Sequence, residues 1–156
     1  MNLVIEKAEL EKKSVLRRLM ELYKYDFSEF DPEDVNEHGL YEYMYLDHYF
    51  TDADRFPFFF KVDGRYAGFA LIRKMEAHYS MAEFFVMKKY RKSGIGKQAA
   101  QELFQRFPGT WEVAEMEENV PAQHFWRKVI GAYAAYEEIR KPDWDGPVQL
   151  FYASGD

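Results

Sequence analysis

The sequence predicts an α/β domain in which short strands alternate with amphipathic helices. Three observations carry that prediction. An apolar run at 84–87 meets a cationic turn with two glycines, and a helical pattern follows at once. In it Ile95, Ala99, Leu103 and Phe107 recur four apart, with Ala100 and Phe104 beside them. Two strand-like runs, 58–62 and 65–72, flank Asp63-Gly64, a strong hairpin signal because both central residues of a type I′ turn need positive φ. A further strand-like run at 111–114 precedes a helical segment at 121–129 that has Pro121 in its first turn.

The remaining elements fill in around these. Leu3–Ile5 is a short apolar run and a plausible first strand. From Glu9 to Tyr25, Val15, Leu16, Leu19, Met20, Leu22 and Tyr23 recur at helical spacing. The segment 26–32 breaks that pattern, and Leu40, Met44 and Tyr45 suggest a second helix to about Phe50. A turn at 51–54 leads into the hairpin. Residues 80–88 form the next strand and 94–107 the next helix, which Pro108-Gly109 ends. Two last strands are expected at 132–139 and 148–153, joined by a loop rich in Pro, Asp and Gly. The predicted order is β-α-α-β-β-β-α-β-α-β-β, with no internal repeat, linker or low-complexity tract.

Composition sets bounds. A chain of 156 residues suits one domain, 1–156, and its 47% hydrophobic content can build a sizeable core. No apolar run approaches a membrane span, and the N-terminus lacks a secretory pattern, so a soluble cytoplasmic protein is the default. There are no cysteines, which excludes disulfides, thiolate metal sites and a cysteine nucleophile. An acyl-cysteine intermediate is thereby excluded, and no metal site is expected. The net charge of −6 is unevenly placed: residues 21–54 carry −10, the rest +4. The acidic stretch makes nucleic acid an unsuitable partner. Its plainest reading is a solvated acidic face. It also suits a cationic acceptor at one end of a site whose other end takes an anion.

That anion site is the strand–turn–helix unit. The first N–H groups of a helix have no intrahelical partner, and the macrodipole places partial positive charge there. Gly94 and Gly96 allow a close backbone approach. Lys88, Lys89, Arg91, Lys92 and Lys97 place five cations in ten residues. A polyanionic ligand is implied, and a pyrophosphate fits. Gly94-x-Gly96-x-x-Ala99 also satisfies the dinucleotide fingerprint, with Glu112 near the place of the ribose-binding acid. However, Lys88–Lys92 intervene between strand and glycines, the unit comes late in the chain, and one parallel βαβ unit is too few. A kinase-type P-loop fails for want of Gly-Lys-Ser/Thr. An unliganded connection with two convenience glycines is the bland alternative.

Arg91-x-x-Gly94-x-Gly96 after a hydrophobic strand resembles the acetyl-coenzyme-A signature of the GNAT N-acetyltransferases. Asn119-x-x-Ala122-x-x-Phe125-Trp126, followed by Gly131-Ala132-Tyr133, resembles that family's Asn-x-x-Ala-x-x-aromatic helix and the strand after it. The two pieces cover roughly residues 80–135. The resemblance implies a GNAT fold, with a mixed, mostly antiparallel sheet flanked by helices on both faces. It implies acetyl transfer from acetyl-CoA to a primary amine by direct attack in a ternary complex. The alternative is a non-catalytic CoA-binding sensor or interaction module on the same fold. It further implies residue roles. Backbone groups of Phe85, Val86 and Met87 would pair with the pantetheine amides. Backbone N–H groups of Arg91, Lys92, Ser93, Gly94, Ile95, Gly96 and Lys97 would hold the pyrophosphate, and the Arg91 and Lys92 side chains would add charge-assisted contacts. Asn119, Phe125 and Trp126 would flank the cofactor arm.

Amide formation from a thioester needs a base for the ammonium proton. Glu83, before the cofactor strand, and Glu112, on the next one, are the candidates, with His78 behind them; each carboxylate could equally be a solvent-facing strand residue. The resemblance departs at Trp126, where many members carry a tyrosine acid. His124, Tyr133 or unassisted thiolate departure could substitute. For the acceptor, Tyr23, Asp26 and Glu29 at the end of the first helix suit a cationic amine. Tyr41, Tyr43, Tyr45 and Tyr49 follow, and tyrosines at such spacing also serve as half-buried packing. A homodimer is compatible with the 19% aromatic content.

Overall fold

In a computed structural model describing residues 1–155, the strands form one seven-stranded sheet in the order β1-β2-β3-β4-β5-β7-β6. The strands are β1 (Leu3–Lys7), β2 (Arg55–Val62), β3 (Arg65–Lys74), β4 (Tyr79–Val86), β5 (Gly109–Ala114), β6 (Tyr136–Lys141) and β7 (Trp144–Ala153). The helices are α1 (Lys13–Phe27), α2 (His48–Thr51), α3 (Ile95–Arg106) and α4 (Val120–Tyr133). Every neighbouring pair is antiparallel except β4–β5, which is parallel.

The sheet is covered on both faces because its strands alternate. In the run Phe58-Phe59-Phe60, the outer two residues face one layer and Phe59 the other. On the first face, Ile95, Ala99, Leu103 and Phe104 of α3 and Trp126 and Ile130 of α4 pack against Phe60, Ile72, Trp111 and Phe151. On the second, Leu16, Leu19 and Met20 of α1 and Tyr49 of α2 pack against Phe59, Phe69, Leu71 and Phe85. The buried residues of α3, Ile95, Ala99, Ala100, Leu103 and Phe104, are among those whose helical spacing is visible in the sequence. The α4 start is set chemically: Asn119 Oδ1 accepts from the Ala122 N–H at 3.1 Å, and Pro121 sits in the first turn.

Two expected elements differ. The second helix, expected over 40–50, is only His48–Thr51, and residues 28–47 run as turns and irregular chain. Here Leu46 and Tyr49 bury against α1 and the sheet while Tyr45 and Met44 stay exposed, so the apolar residues serve two different surfaces rather than one helical face. The strand expected from Ala132 starts at Tyr136, because Gly131, Ala132 and Tyr133 complete the last turn of α4. Tyr133 packs there against Phe104 and Phe151.

Candidate active site

The site originates where the sheet comes apart. β4 and β5 pair only at Tyr79↔Trp111 and Ser80↔Glu112; beyond those positions the parallel strands diverge. The opening is a cleft of about 1170 Å³, walled by β4, β5, the end of α1, the start of α3, one side of α4 and the start of β7. That exceeds the usual range of small-molecule pockets, roughly 300–1,000 Å³, and leaves room for two reactants.

One end of the cleft is cationic. After β4 the chain makes a short 3₁₀ turn at Lys88–Tyr90, and Lys92 and Gly94 adopt positive φ of 62° and 85° before α3 begins. Gly94 caps α3 without a side-chain bond, and the space where its Cβ would stand is open. Ile95 anchors the turn in the core, so the first amides of α3 and the side chains of Lys92 and Lys97 are held at the cleft wall. A Cβ on Gly96 would lie 3.0 Å from the Phe125 ring, so glycine there permits the close contact of α3 with α4. A helix N-terminus with open space at Gly94 and two lysines beside it has donors of the chemistry that fits a pyrophosphate.

Several of these residues have partners of their own. Arg91 Nε donates to the Val86 carbonyl at 2.8 Å, and its Nη2 donates to Asp26 Oδ2 at 2.6 Å. Lys88 Nζ lies 3.7 Å from the other oxygen of Asp26. Asp26, expected at the acceptor, is therefore an ionic partner of the cofactor turn. The Met87 N–H donates to the Ala67 carbonyl, and Ser93 Oγ donates to the Tyr90 carbonyl. Met87, Ser93 and Ile95 stand outside the cleft lining, whereas Phe85, Val86, Asn119, Phe125 and Trp126 are in it. Trp126 is buried edge-on against Phe84 and Phe125.

The other end holds a carboxylate in an aromatic cage. Glu83 Oε1 accepts from the Tyr23 hydroxyl at 2.8 Å and Oε2 from the Tyr43 hydroxyl at 3.0 Å. Burial pushes the Glu83 carboxyl above its ordinary value, against the two phenol hydrogen bonds that pull it down. Burial and the neighbouring Glu83 charge push both phenols well up, so Tyr23 and Tyr43 stay protonated donors. Phe27, Phe30, Glu29 and Asp31 extend this wall outward from α1.

The two candidate bases are separated. Glu112 is outside the cleft lining: its Oε2 accepts from Lys141 Nζ at 2.5 Å and lies 3.1 Å from His78 Nε2. It sits where β4 and β5 are still paired, and Lys141 neutralises it. His124 is exposed on α4 and also lies outside the cleft.

Residues that the sequence reading did not single out also stand in the walls, notably Glu115, Glu118, Trp144 and Asp145. Glu115 had a signal. Trp111, Val113 and Glu115 alternate along β5 and its continuation, so burial of the first two turns the third inward. Its Oε1 accepts from Gln149 Nε2 at 2.9 Å while Oε2 is buried without a hydrogen-bond partner. Burial pushes this carboxyl up to about 8.

Comparison with known proteins places this geometry. Chains of similar structure include PaiA N-acetyltransferase of Thermoplasma acidophilum in complex with coenzyme A, at 13% identity and a TM-score of 0.67 over 97% of this chain and 100% of that one. An acetyltransferase of Thermus thermophilus aligns at 12% identity and a TM-score of 0.76, over 97% of each chain. The ribosomal-protein-S18-alanine N-acetyltransferase of Escherichia coli aligns at 11% identity and a TM-score of 0.65, over 98% of this chain and 95% of that one. A search of curated proteins gave no match. These identities establish the fold. The sequence profile of the Acetyltransferase (GNAT) family matches residues 16–132, three quarters of the chain, and the chain belongs to that family.

Proposed function

We propose that the protein transfers an acetyl group from acetyl-CoA to a primary amine, with Glu83 accepting the amine's proton. One observation carries this reading. A single cleft is lined both by Lys92, Lys97 and the N-terminus of α3 and by Glu83, a half-buried carboxylate held by two phenols.

Lys92, Lys97 and the first amides of α3 would hold the pyrophosphate, and the diverging edges of β4 and β5 would take the pantetheine arm. The bound thioester supplies an activated acyl group; this chain's residues supply position and proton handling. An ammonium entering between Tyr23, Phe27 and Tyr43 meets the Glu83 carboxylate. Glu83 takes one proton and leaves a neutral amine lone pair free to attack. Its raised pKa makes it a better base than an exposed glutamate. Trp126 offers no proton where a tyrosine would. As the tetrahedral adduct collapses, the C–S bond breaks and the second proton of the attacking nitrogen neutralises the departing thiolate, so no separate acid residue is required.

The cleft suits a cationic amine rather than nucleic acid, because Glu29, Asp31, Glu118 and Asp145 stand in its walls. The unit acts as one soluble catalytic domain in this reading, with a homodimer compatible but not required. The test is thiol release from acetyl-CoA across a panel of primary amines, with Glu83→Gln alongside. Amine-dependent release that the variant abolishes supports the reading. Release that is the same in both overturns the role of Glu83.

A further inference from the structure

The connection between α1 and α2 has a construction that the reaction alone does not explain. Residues 28–47 contain no regular helix or strand, and connections of this length within a compact fold are uncommon and usually functional. The chain is nevertheless tied to α1, by the ion pairs Lys24–Glu33 and Lys13–Asp47 and, between them, by one carboxylate. Glu21, on α1, accepts two consecutive backbone N–H groups: Oε1 from Tyr41 at 2.8 Å and Oε2 from Glu42 at 2.7 Å. Charge-assisted bonds of this kind are about twice as strong as neutral ones. Between them the backbone is forced: Glu42 has φ of 57°, a left-handed conformation that a non-glycine residue adopts at a cost. The next residue is Tyr43, whose hydroxyl reaches Glu83 Oε2. Leu46 and Tyr49 then bury in the core below α1. Tyr43 is thus suspended between two anchors, the Glu21 carboxylate upstream and the buried pair downstream.

We propose that Glu21 is a positioning residue for catalysis: its carboxylate locks the Tyr41–Glu42 backbone so that the Tyr43 hydroxyl is delivered to Glu83. This rests on Glu83 being the proton acceptor. It adds a specific cause for the aim of one phenol, from a residue that never touches the cleft. The groups that face Glu83 are Tyr23 and Lys24 from α1, Tyr43 from the connection and Tyr49 from α2; β4 presents Ala82 and Phe84 on either side. Tyr23 is on α1 itself and does not depend on the clamp, so the two phenols should respond differently when the clamp is cut.

The experiment is a side-chain carbon NMR titration of Glu83 in the full chain, with no acceptor needed. Tyr43→Phe should raise the Glu83 midpoint by about one unit, because a hydrogen bond to the charged form is lost. Glu21→Ala should raise it by a similar amount. The double variant Glu21→Ala/Tyr43→Phe should show no further rise. Glu21→Ala/Tyr23→Phe should show the sum of the two single shifts. Glu21→Gln keeps one carbonyl acceptor, should give an intermediate shift, and serves if the alanine variant fails to fold. A Glu83 midpoint unchanged by both Glu21 variants overturns the proposal, as does additivity of Glu21→Ala with Tyr43→Phe. The predicted midpoints together with amine-dependent thiol release that survives in Glu83→Gln would support the clamp and overturn the base assignment, so the two fail separately.

Discussion

Asp26 and Arg91, sixty-five residues apart, form an ion pair at 2.6 Å between the end of α1 and the turn before α3. The pair ties α1 to the turn that leads into α3, across one wall of the cleft. Arg91 is held on three sides, by Asp26, by the Val86 carbonyl and by the Phe85 ring, whose centroid lies 5.9 Å from its Cζ. A carboxylate in this place competes with a phosphate for the same guanidinium. Asp26→Asn should therefore tighten CoA binding by about threefold to fivefold, the scale of a partly exposed ion pair. The gain should shrink as salt is raised. Calorimetric titration checks it, and weaker CoA binding would show that Asp26 orients Arg91 rather than competing for it.

Glu83 must be ionised to accept a proton. Because burial raises its carboxyl, the acidic limb of the pH–rate profile should have its midpoint above the ordinary glutamate value of 4.5. Glu83→Gln should lose that limb and at least about a hundredfold in rate, the lower range for a general base. A profile in the variant that keeps the limb would assign the proton to another group.

Glu115 gives a prediction about stability. In the unfolded chain its carboxyl ionises near the ordinary 4.5, and in the fold near about 8. The folded state binds the proton more tightly, so this contribution is complete below the unfolded pKa. It falls as pH rises through the window and is gone above about 8. Glu115→Gln removes the titration and keeps the Gln149 contact side by side with an amide. At pH 9 the variant should be more stable than the parent by on the order of 2 kcal/mol, and at pH 5 the two should be close. Urea unfolding at the two pH values measures it. An equal difference at both would show that Glu115 does not titrate in this range.

Gly96 is under packing constraint rather than conformational strain. Its missing Cβ would stand 3.0–3.1 Å from the Phe125 ring, which also lines the cleft. Gly96→Val should destabilise by about 1–3 kcal/mol through overpacking and weaken CoA binding by moving Phe125. Phe125→Leu in the same chain should recover part of the stability. No recovery would place the strain elsewhere.

Local signals were legible and long-range ones were not. The Asp63-Gly64 turn has φ of 51° and 81°, as a two-residue hairpin loop requires, because the dipeptide itself encodes that geometry. The Gly94–Gly96 turn was legible because the glycines and the helical pattern after them are local; that Asn119 caps α4 was not read from the sequence. What the chain did not disclose is which charges meet. Glu83 and Glu112 look equivalent in sequence, each on a strand bordering the cleft. Only the point where β4 and β5 part decides that Glu83 meets Tyr23 and Tyr43 while Glu112 meets Lys141. The same holds for Asp26, whose partner lies on a distant turn. Leu40, Met44 and Tyr45 misled because their helical spacing was present while all three stay exposed, with no face to bury.

The central claim is that the cleft between β4 and β5 takes acetyl-CoA. Calorimetric titration of the purified protein with acetyl-CoA, with NADH and ATP as controls, tests it most directly. One site per chain with micromolar affinity and silent controls is expected. Absence of acetyl-CoA binding by the folded protein would contradict it, and would leave the glycine turn a connection between a strand and a helix.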